Sequence, residues 1–273
     1  VRLMALPRTA EEARRAVELA AGLGVRPFFM GNGTNLLVSD DGAEEFVVKT
    51  FDGLGGIQQT GERELTAGAG VLLSRLAVFA LERGLAGLEF AHGIPGSLGG
   101  AVCMNAGAYG GEMRQVVTRT RWLDQSGRAG ETAGEEHGFA YRRSAFSDGS
   151  RLIVEAVLTL EPGDPAKIRG RMEELSAARR AKQPLEYPSA GSTFKRPEGH
   201  FAAALIEECG LKGVGIGGAQ VSEKHAGFFI NRGGACAADV RRLMDLVRET
   251  VLRQTGVELE PEVKFLGFES HGG

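Results

Sequence analysis

The chain has 273 residues, with 32 basic and 35 acidic side chains, a net charge of -3 and 42% hydrophobic residues. Such a length and apolar share allow buried cores in two or three compact units, and the near-balanced charge offers no basic field for nucleic acid. Cys103, Cys209 and Cys236 form no C-x-x-C pair and the five histidines lack ligand spacing, so neither a disulfide framework nor a metal site is expected.

No apolar run is long enough to cross a bilayer, and the opening residues do not read as a signal peptide; the cysteine usage makes a reducing cytosol the expected compartment. The chain opens on Val1 and not on Met, which points to an upstream start or a valine-type initiator codon.

In chain order, Thr9 and Glu12 have capping-box spacing ahead of a helix whose Ala13, Ala16, Val17 and Ala20 share a face and which Gly22 and Gly24 stop. Strands follow in VRPFFM, NLLVSD and EFVVKT. A second unit has a strand in RELTAGAG, a helix in VLLSRLAVFALERG, a glycine-rich segment over 92–112, and strands in VVTRTRWLD and RLIVEAVLTLEP. A polar helix with Ile168, Met172 and Leu175 at helical spacing ends before Pro184. A third unit has a helix in HFAAALIEECG, a strand in AGFFIN and a long helix from about Ala238 to Thr255, with Val240, Leu243, Met244, Val247 and Val251 on one stripe and Gly256 as its stop. Without regular strand–helix alternation the class is α+β.

The stretch Gly31-Asn32-Gly33-Thr34-Asn35-Leu36 is a G-x-G turn whose N–H groups can nest an anion. Taken alone, such a turn is more often a strand connector, and because a strand follows it, it is not the dinucleotide fingerprint. A denser segment shifts that balance. Gly93, Ile94, Pro95, Gly96, Ser97, Gly99, Gly100 and Ala101 lie within HGIPGSLGGA, and Gly68 and Ala69 lie in TAGAG ahead of a helix. Together these turns favour a dinucleotide-like ligand.

Three further segments carry chemical groups. YRRSAF sets Tyr141 and Arg142 beside Ser144, and PSAGSTFKRP places Ser192 in a glycine turn before Lys195 and Arg196. In VELEPEVKFLG, alternation puts Val257, Leu259, Val263 and Phe265 on one face and Glu258, Glu260, Glu262 and Lys264 on the other. Glu262 follows Pro261, where strand pairing is disturbed, so its carboxylate points either to a cleft or to solvent.

GNGTNLLV, GIPGSLGGAVCMNAGAYG, YRRSAF, PSAGSTFKRP and LEPEVKFLG, in this order over nearly the whole chain, closely resemble the UDP-N-acetylenolpyruvoylglucosamine reductase family of bacterial cell-wall precursor synthesis, in its compact subtype. The resemblance implies an FAD-binding fold of two α+β subdomains, like that of vanillyl-alcohol oxidase, plus a C-terminal α+β substrate domain. Those would occupy 1–50 and 51–186, then 187–256, with 257–273 as a terminal strand carrying the catalytic glutamate.

It also implies tightly bound, non-covalent FAD, NADPH as co-substrate, a UDP-sugar substrate, and a cytoplasmic bacterial enzyme. By the same resemblance Arg142, Ser192 and Glu262 are catalytic, and Tyr141, Lys195, Arg196 and Lys264 meet the sugar nucleotide; many members have Asn where this chain has Arg196. The glycine-rich positions from Gly31 to Ala101 named above meet the cofactor. The family has a G-G-P-A turn upstream of where this chain opens. Two other readings stand beside this one, a different flavoenzyme of the superfamily and a non-catalytic flavin- or nucleotide-sugar-binding module.

Overall fold

The computed structural model describes residues 1–268, and positions 269–273 of the expected terminal segment lie outside them. In chain order the main elements begin with strand β1 (Leu3–Ala5), helix α1 (Ala10–Gly22), strands β2 (Phe28–Met30), β3 (Leu36–Val38), β4 (Phe46–Lys49), β5 (Ile57–Gln59) and β6 (Glu64–Gly68), and helices α2 (Leu73–Leu81) and α3 (Leu98–Cys103). They continue with β7 (Val117–Asp124), β8 (Ala129–Ala133), β9 (Arg151–Thr159), α4 (Pro165–Lys182), β10 (Ser189–Ser192), α5 (Ala202–Glu208), β11 (Gly215–Ile216), β12 (Ala219–Val221), β13 (Phe228–Asn231), α6 (Ala237–Thr255) and β14 (Lys264–Leu266). The chain divides into two compact units, Val1–Gly33 with Glu44–Ala177, and Thr34–Ala43 with the residues from Ala178 onward.

The first unit holds a three-stranded parallel sheet in the order β1-β4-β2, with Leu3 opposite Phe46 and Phe28 opposite Val47. Central β4 buries Phe46, Val47 and Val48 in succession, the unbroken apolar run expected of a strand covered on both faces. Helix α1 adds Ala13, Val17 and Ala20 to the same core. Its cap differs from the expected box in one bond. The Glu12 N–H donates to Thr9 Oγ1 at 3.1 Å as expected, but the Glu12 carboxylate accepts from the Arg8 N–H at 2.7 Å.

A five-stranded antiparallel sheet, β8-β7-β9-β6-β5, completes this unit. Leu65 and Ala67 of β6, Ala156 and Leu158 of β9 and Thr120 of β7 line its buried face. Helix α2 contributes Leu73, Leu76, Ala77, Ala80 and Leu81 to that core. It has no side-chain cap, and its Leu73 N–H donates instead to the Gly96 carbonyl at 3.1 Å. Helix α3 lies inside the glycine-rich segment that reads as turns in the sequence, and it forms because Leu98, Ala101 and Val102 recur at helical spacing and are all buried.

The second unit is built on a four-stranded antiparallel sheet, β10-β13-β12-β11, whose core includes residues of α5 and α6. Helix α6 buries Leu243, Met244, Val247 and Val251, and Gly256 ends it in the left-handed region at φ 73°. Strand β3 pairs in parallel with β14, Leu36 opposite Lys264 and Val38 opposite Leu266. Just beyond β3, the Asp40 carboxylate accepts the Ala237 and Ala238 N–H groups at 2.7 and 3.0 Å. Those two backbone donors hold its carboxyl below the ordinary Asp value, as expected for an acid on a helix N-terminus.

The terminal segment corrects the simple alternation read from the sequence. Leu259 and Val263 are buried as expected, but Phe265 is 38% exposed and Glu262 only 8%. Pro261 has no N–H to continue a ladder, and the chain is held there by the Glu262 N–H on the Thr193 carbonyl at 2.9 Å. The alternation therefore breaks beside the proline, with Glu262 and Val263 buried in succession.

Candidate functional site

In the first unit the glycine segments, distant in sequence, meet. The Asn32 side-chain amide donates to the Pro95 carbonyl at 2.8 Å. A Cβ on Gly31 would collide with Ser97 Oγ, and Gly33 takes φ 73°. The third segment is stitched to the second by the Gly99 N–H on the Ala69 carbonyl and the Leu98 N–H on the Val71 carbonyl, each at 2.8 Å. Gly68 owes its missing side chain to the Leu54 carbonyl pressed against it, and Gly99 to Ala69. Gly93 and Pro95 are exposed, Ile94, Gly96 and Gly100 half-buried, and Ala101 buried. Thr34, Asn35 and Leu36 belong to the second unit.

Ser97 is fully buried at the start of α3, and its hydroxyl has no hydrogen-bond partner among the described residues. An unsatisfied buried hydroxyl costs about 1–3 kcal/mol, and such orphans commonly await a ligand oxygen. Beside it lies the side-chain-free backbone of Gly31 and Gly100. This donor set fits the diphosphate of a dinucleotide such as FAD.

Arg142 stands on a tight turn in the same unit. Ala140 and Arg143 exchange both backbone hydrogen bonds, at 3.0 and 3.1 Å, and Arg142 is the third residue of the turn with φ 54°. Arginine rarely adopts that conformation, so the surroundings must hold it there. The Asn105 amide grips the Ala140 carbonyl, the Ser144 hydroxyl donates to the Cys103 carbonyl at 2.7 Å, and the Ala145 N–H donates to the His137 carbonyl at 2.7 Å. The Arg142 guanidinium lies 5.1 Å from the centre of the Tyr141 ring, and Tyr141 itself is 51% exposed.

The second unit brings Asn35, Ser192 and Glu262 to one strand junction. Strand β10 is irregular between Ser189 and Ser192, and Gly191 at φ 82° turns the chain there. The Thr193 N–H donates to the Gly227 carbonyl, the Glu262 N–H to the Thr193 carbonyl and the Lys195 N–H to the Glu260 carbonyl, all at 2.9 Å. From the other side, the Asn35 side-chain amide donates to the Glu262 carbonyl at 3.0 Å, as does the Lys264 N–H to the Asn35 carbonyl. Lys195 pairs with the exposed Glu260 carboxylate. Arg196 stacks its guanidinium over Phe201 at 4.6 Å, and Lys264 is exposed.

Two histidines, His137 buried and His225 half-buried, brace these places without any sequence signal to mark them. His137 uses both ring nitrogens, one with Thr120 Oγ1 and one with the Gly134 carbonyl, each at 2.9 Å, and stacks on Phe139. His225 Nδ1 accepts the Gly227 N–H at 3.1 Å, next to the carbonyl that holds Thr193. Burial pushes both imidazoles below their ordinary pKa, so they stay neutral. Asn105 is a third such residue, since its reach to Ala140 crosses two loops.

No described helix is long and apolar enough to cross a membrane. A family model for the UDP-N-acetylenolpyruvoylglucosamine reductase C-terminal domain matches residues 183–266, and one for an FAD binding domain matches residues 1–132. UDP-N-acetylenolpyruvoylglucosamine reductase of Clostridium tetani is 46% identical over 98% of this chain and 86% of its own length. The protein of that name from Clostridium novyi is 46% identical over 97% of this chain and 85% of its own. The crystal structure of UDP-N-acetylenolpyruvylglucosamine reductase from Thermus caldophilus superposes with a TM-score of 0.83 at 36% identity, covering 96% of this chain and 91% of that one. The α+β chain, with an FAD-binding domain followed by the reductase C-terminal domain, thus belongs to the UDP-N-acetylenolpyruvoylglucosamine reductase family.

Proposed function

We propose that this chain is a cytoplasmic, NADPH-driven reductase that converts the enolpyruvyl ether of UDP-N-acetylglucosamine into UDP-N-acetylmuramate for peptidoglycan synthesis. Besides family membership, the observation that supports this reading is the junction in which the Glu262 N–H donates to the carbonyl of Thr193, the residue after Ser192, at 2.9 Å.

Bound FAD supplies the store of hydride between NADPH and the sugar nucleotide. Asn32, Ser97 and the backbone of Gly31 and Gly100 would hold its diphosphate. When the terminal carbon of the enol ether receives hydride, negative charge builds on the neighbouring carbon and spreads into the substrate carboxylate. The Arg142 guanidinium, charged at every working pH, stabilises that charge. The buried Glu262 polarises the same group through a hydrogen bond. Ser192 then gives its hydroxyl proton to the carbanionic carbon, a transfer that a weak acid manages when the acceptor is so basic and the two are held together. Tyr141, Lys195, Arg196 and Lys264 are the contacts proposed for the sugar nucleotide.

Anaerobic stopped-flow spectroscopy tests the assignment. The purified protein is expected to be yellow, to bleach with NADPH and to regain its colour with the enolpyruvyl sugar nucleotide. Flavin that bleaches but is never reoxidised by that substrate would overturn the reading.

A further inference from the structure

Asn105 follows helix α3 by two residues, is 1% exposed, and adopts φ 43°. Its side chain is fully committed. The amide oxygen accepts the Arg114 N–H at 2.9 Å, and the amide nitrogen donates to Glu112 Oε2 at 2.9 Å and to the Ala140 carbonyl at 3.1 Å. An asparagine side chain offers two N–H donors, and both are used here. Glu112 cannot drift away from this contact, because its carboxylate also caps the short helix Met113–Gln115 and pairs with Arg114.

The Ala140 carbonyl is the one that accepts the Arg143 N–H and so closes the turn on which Arg142 stands. Asn105 therefore holds the hydrogen-bonding atom of the turn itself, from a separate loop. The conformation at stake is an unfavourable one, an arginine at φ 54°, whose cost of about 1–3 kcal/mol has to be met by its surroundings. A turn released from this grip relaxes toward ordinary arginine dihedrals and carries the guanidinium with it.

We propose that Asn105 is a positioning residue that sets the Arg142 guanidinium for charge stabilisation, acting through the Ala140 carbonyl. The proposal rests on the reading of Arg142 given above. Displacement of a catalytic group by about 1 Å costs on the order of a hundredfold in rate, and Asn105 has no part in the reduction of flavin by NADPH.

The test uses the FAD-loaded enzyme and Asn105→Asp, which keeps the acceptor for Arg114 but turns an oxygen toward the Ala140 carbonyl and the Glu112 carboxylate. Reoxidation by the enolpyruvyl sugar nucleotide should slow by about tenfold to a hundredfold, while NADPH reduction and FAD content stay within about twofold of the parent. In the same variant without FAD, the Arg143 amide should exchange hydrogen faster, and the Ala145 amide should not. Asn105→Gly, which keeps the positive φ and removes the side chain, should reproduce the selective loss if the aspartate variant folds poorly.

In an Arg142→Ala background the Asn105→Asp effect should fall to about twofold or less, because the two residues act as one. Equal slowing of both half-reactions, or an undiminished effect in the Arg142→Ala background, would overturn the positioning role. Arg142→Ala alone separates the two readings: full reoxidation in that variant removes Arg142 from the chemistry, whatever Asn105 does.

Discussion

The Asn32 side-chain amide reaches the Pro95 carbonyl across 63 positions of sequence at 2.8 Å, and it fastens one glycine turn to the other. Beside that bond, Gly31 leaves no space for a Cβ against Ser97 Oγ. Gly31→Ala should therefore displace the hydroxyl proposed to hold the cofactor. Overpacking of this kind costs about 1–3 kcal/mol, which corresponds to roughly a tenfold to hundredfold rise in the Kd for FAD. Flavin absorbance per protein and titration of the apoprotein measure it.

Ser192→Ala should separate the two halves of the catalytic cycle. NADPH should bleach the flavin at close to the parent rate, and reoxidation by the sugar nucleotide should fall by about a hundredfold to ten-thousandfold, the usual scale for a lost proton donor. Glu262→Gln keeps a hydrogen bond to the same group and should cost less than Ser192→Ala. Single-turnover traces of each half-reaction decide it.

Acid should weaken the fold through His137 and His225. His137 is buried and His225 half-buried, and desolvation holds both folded pKa values below the ordinary 6.5. Above that value both states are neutral at these residues and the stability they contribute is complete. Below it the unfolded chain binds protons that the folded chain refuses, so stability falls with pH until the folded values are passed. Thermal midpoints between about pH 8 and pH 5 should decline most steeply in the lower half. A His137→Asn/His225→Asn variant should be less stable overall but show a shallower decline.

Most of the helices were legible because periodicity survives without tertiary context. Ala13, Val17 and Ala20, or Leu243, Met244, Val247 and Val251, mark buried stripes wherever the helix ends up. Helix α3 was hidden because glycine counts as a breaker, although Gly99 sits inside it to let the backbone lie against Ala69. The terminal alternation failed beside Pro261, where the Glu262 N–H is drawn to the Thr193 carbonyl and Glu262 is buried in succession with Val263. Family resemblance put Arg142, Ser192 and Glu262 forward as the catalytic residues. Asn105, His137 and His225 left no trace, because each is defined by which distant carbonyl or amide it meets.

Asp40→Ala should lower the thermal midpoint, since the Ala237 and Ala238 N–H groups at the start of α6 lose their acceptor. Asp40→Asn keeps an acceptor without the charge and should lie between that variant and the parent. Differential scanning calorimetry distinguishes the three.

The segment Thr34–Ala43 packs with the C-terminal residues, and Asn35 meets Glu262 across 227 positions. On the ribosome, strand β3 emerges long before β14, its partner, and has to wait for it. Closing so long a loop is entropically slow, so the second unit is expected to mature only after β14 has emerged. Truncation a few residues before Lys264 would leave an unpaired strand near the front of the chain, a sticky edge of the kind chaperones engage.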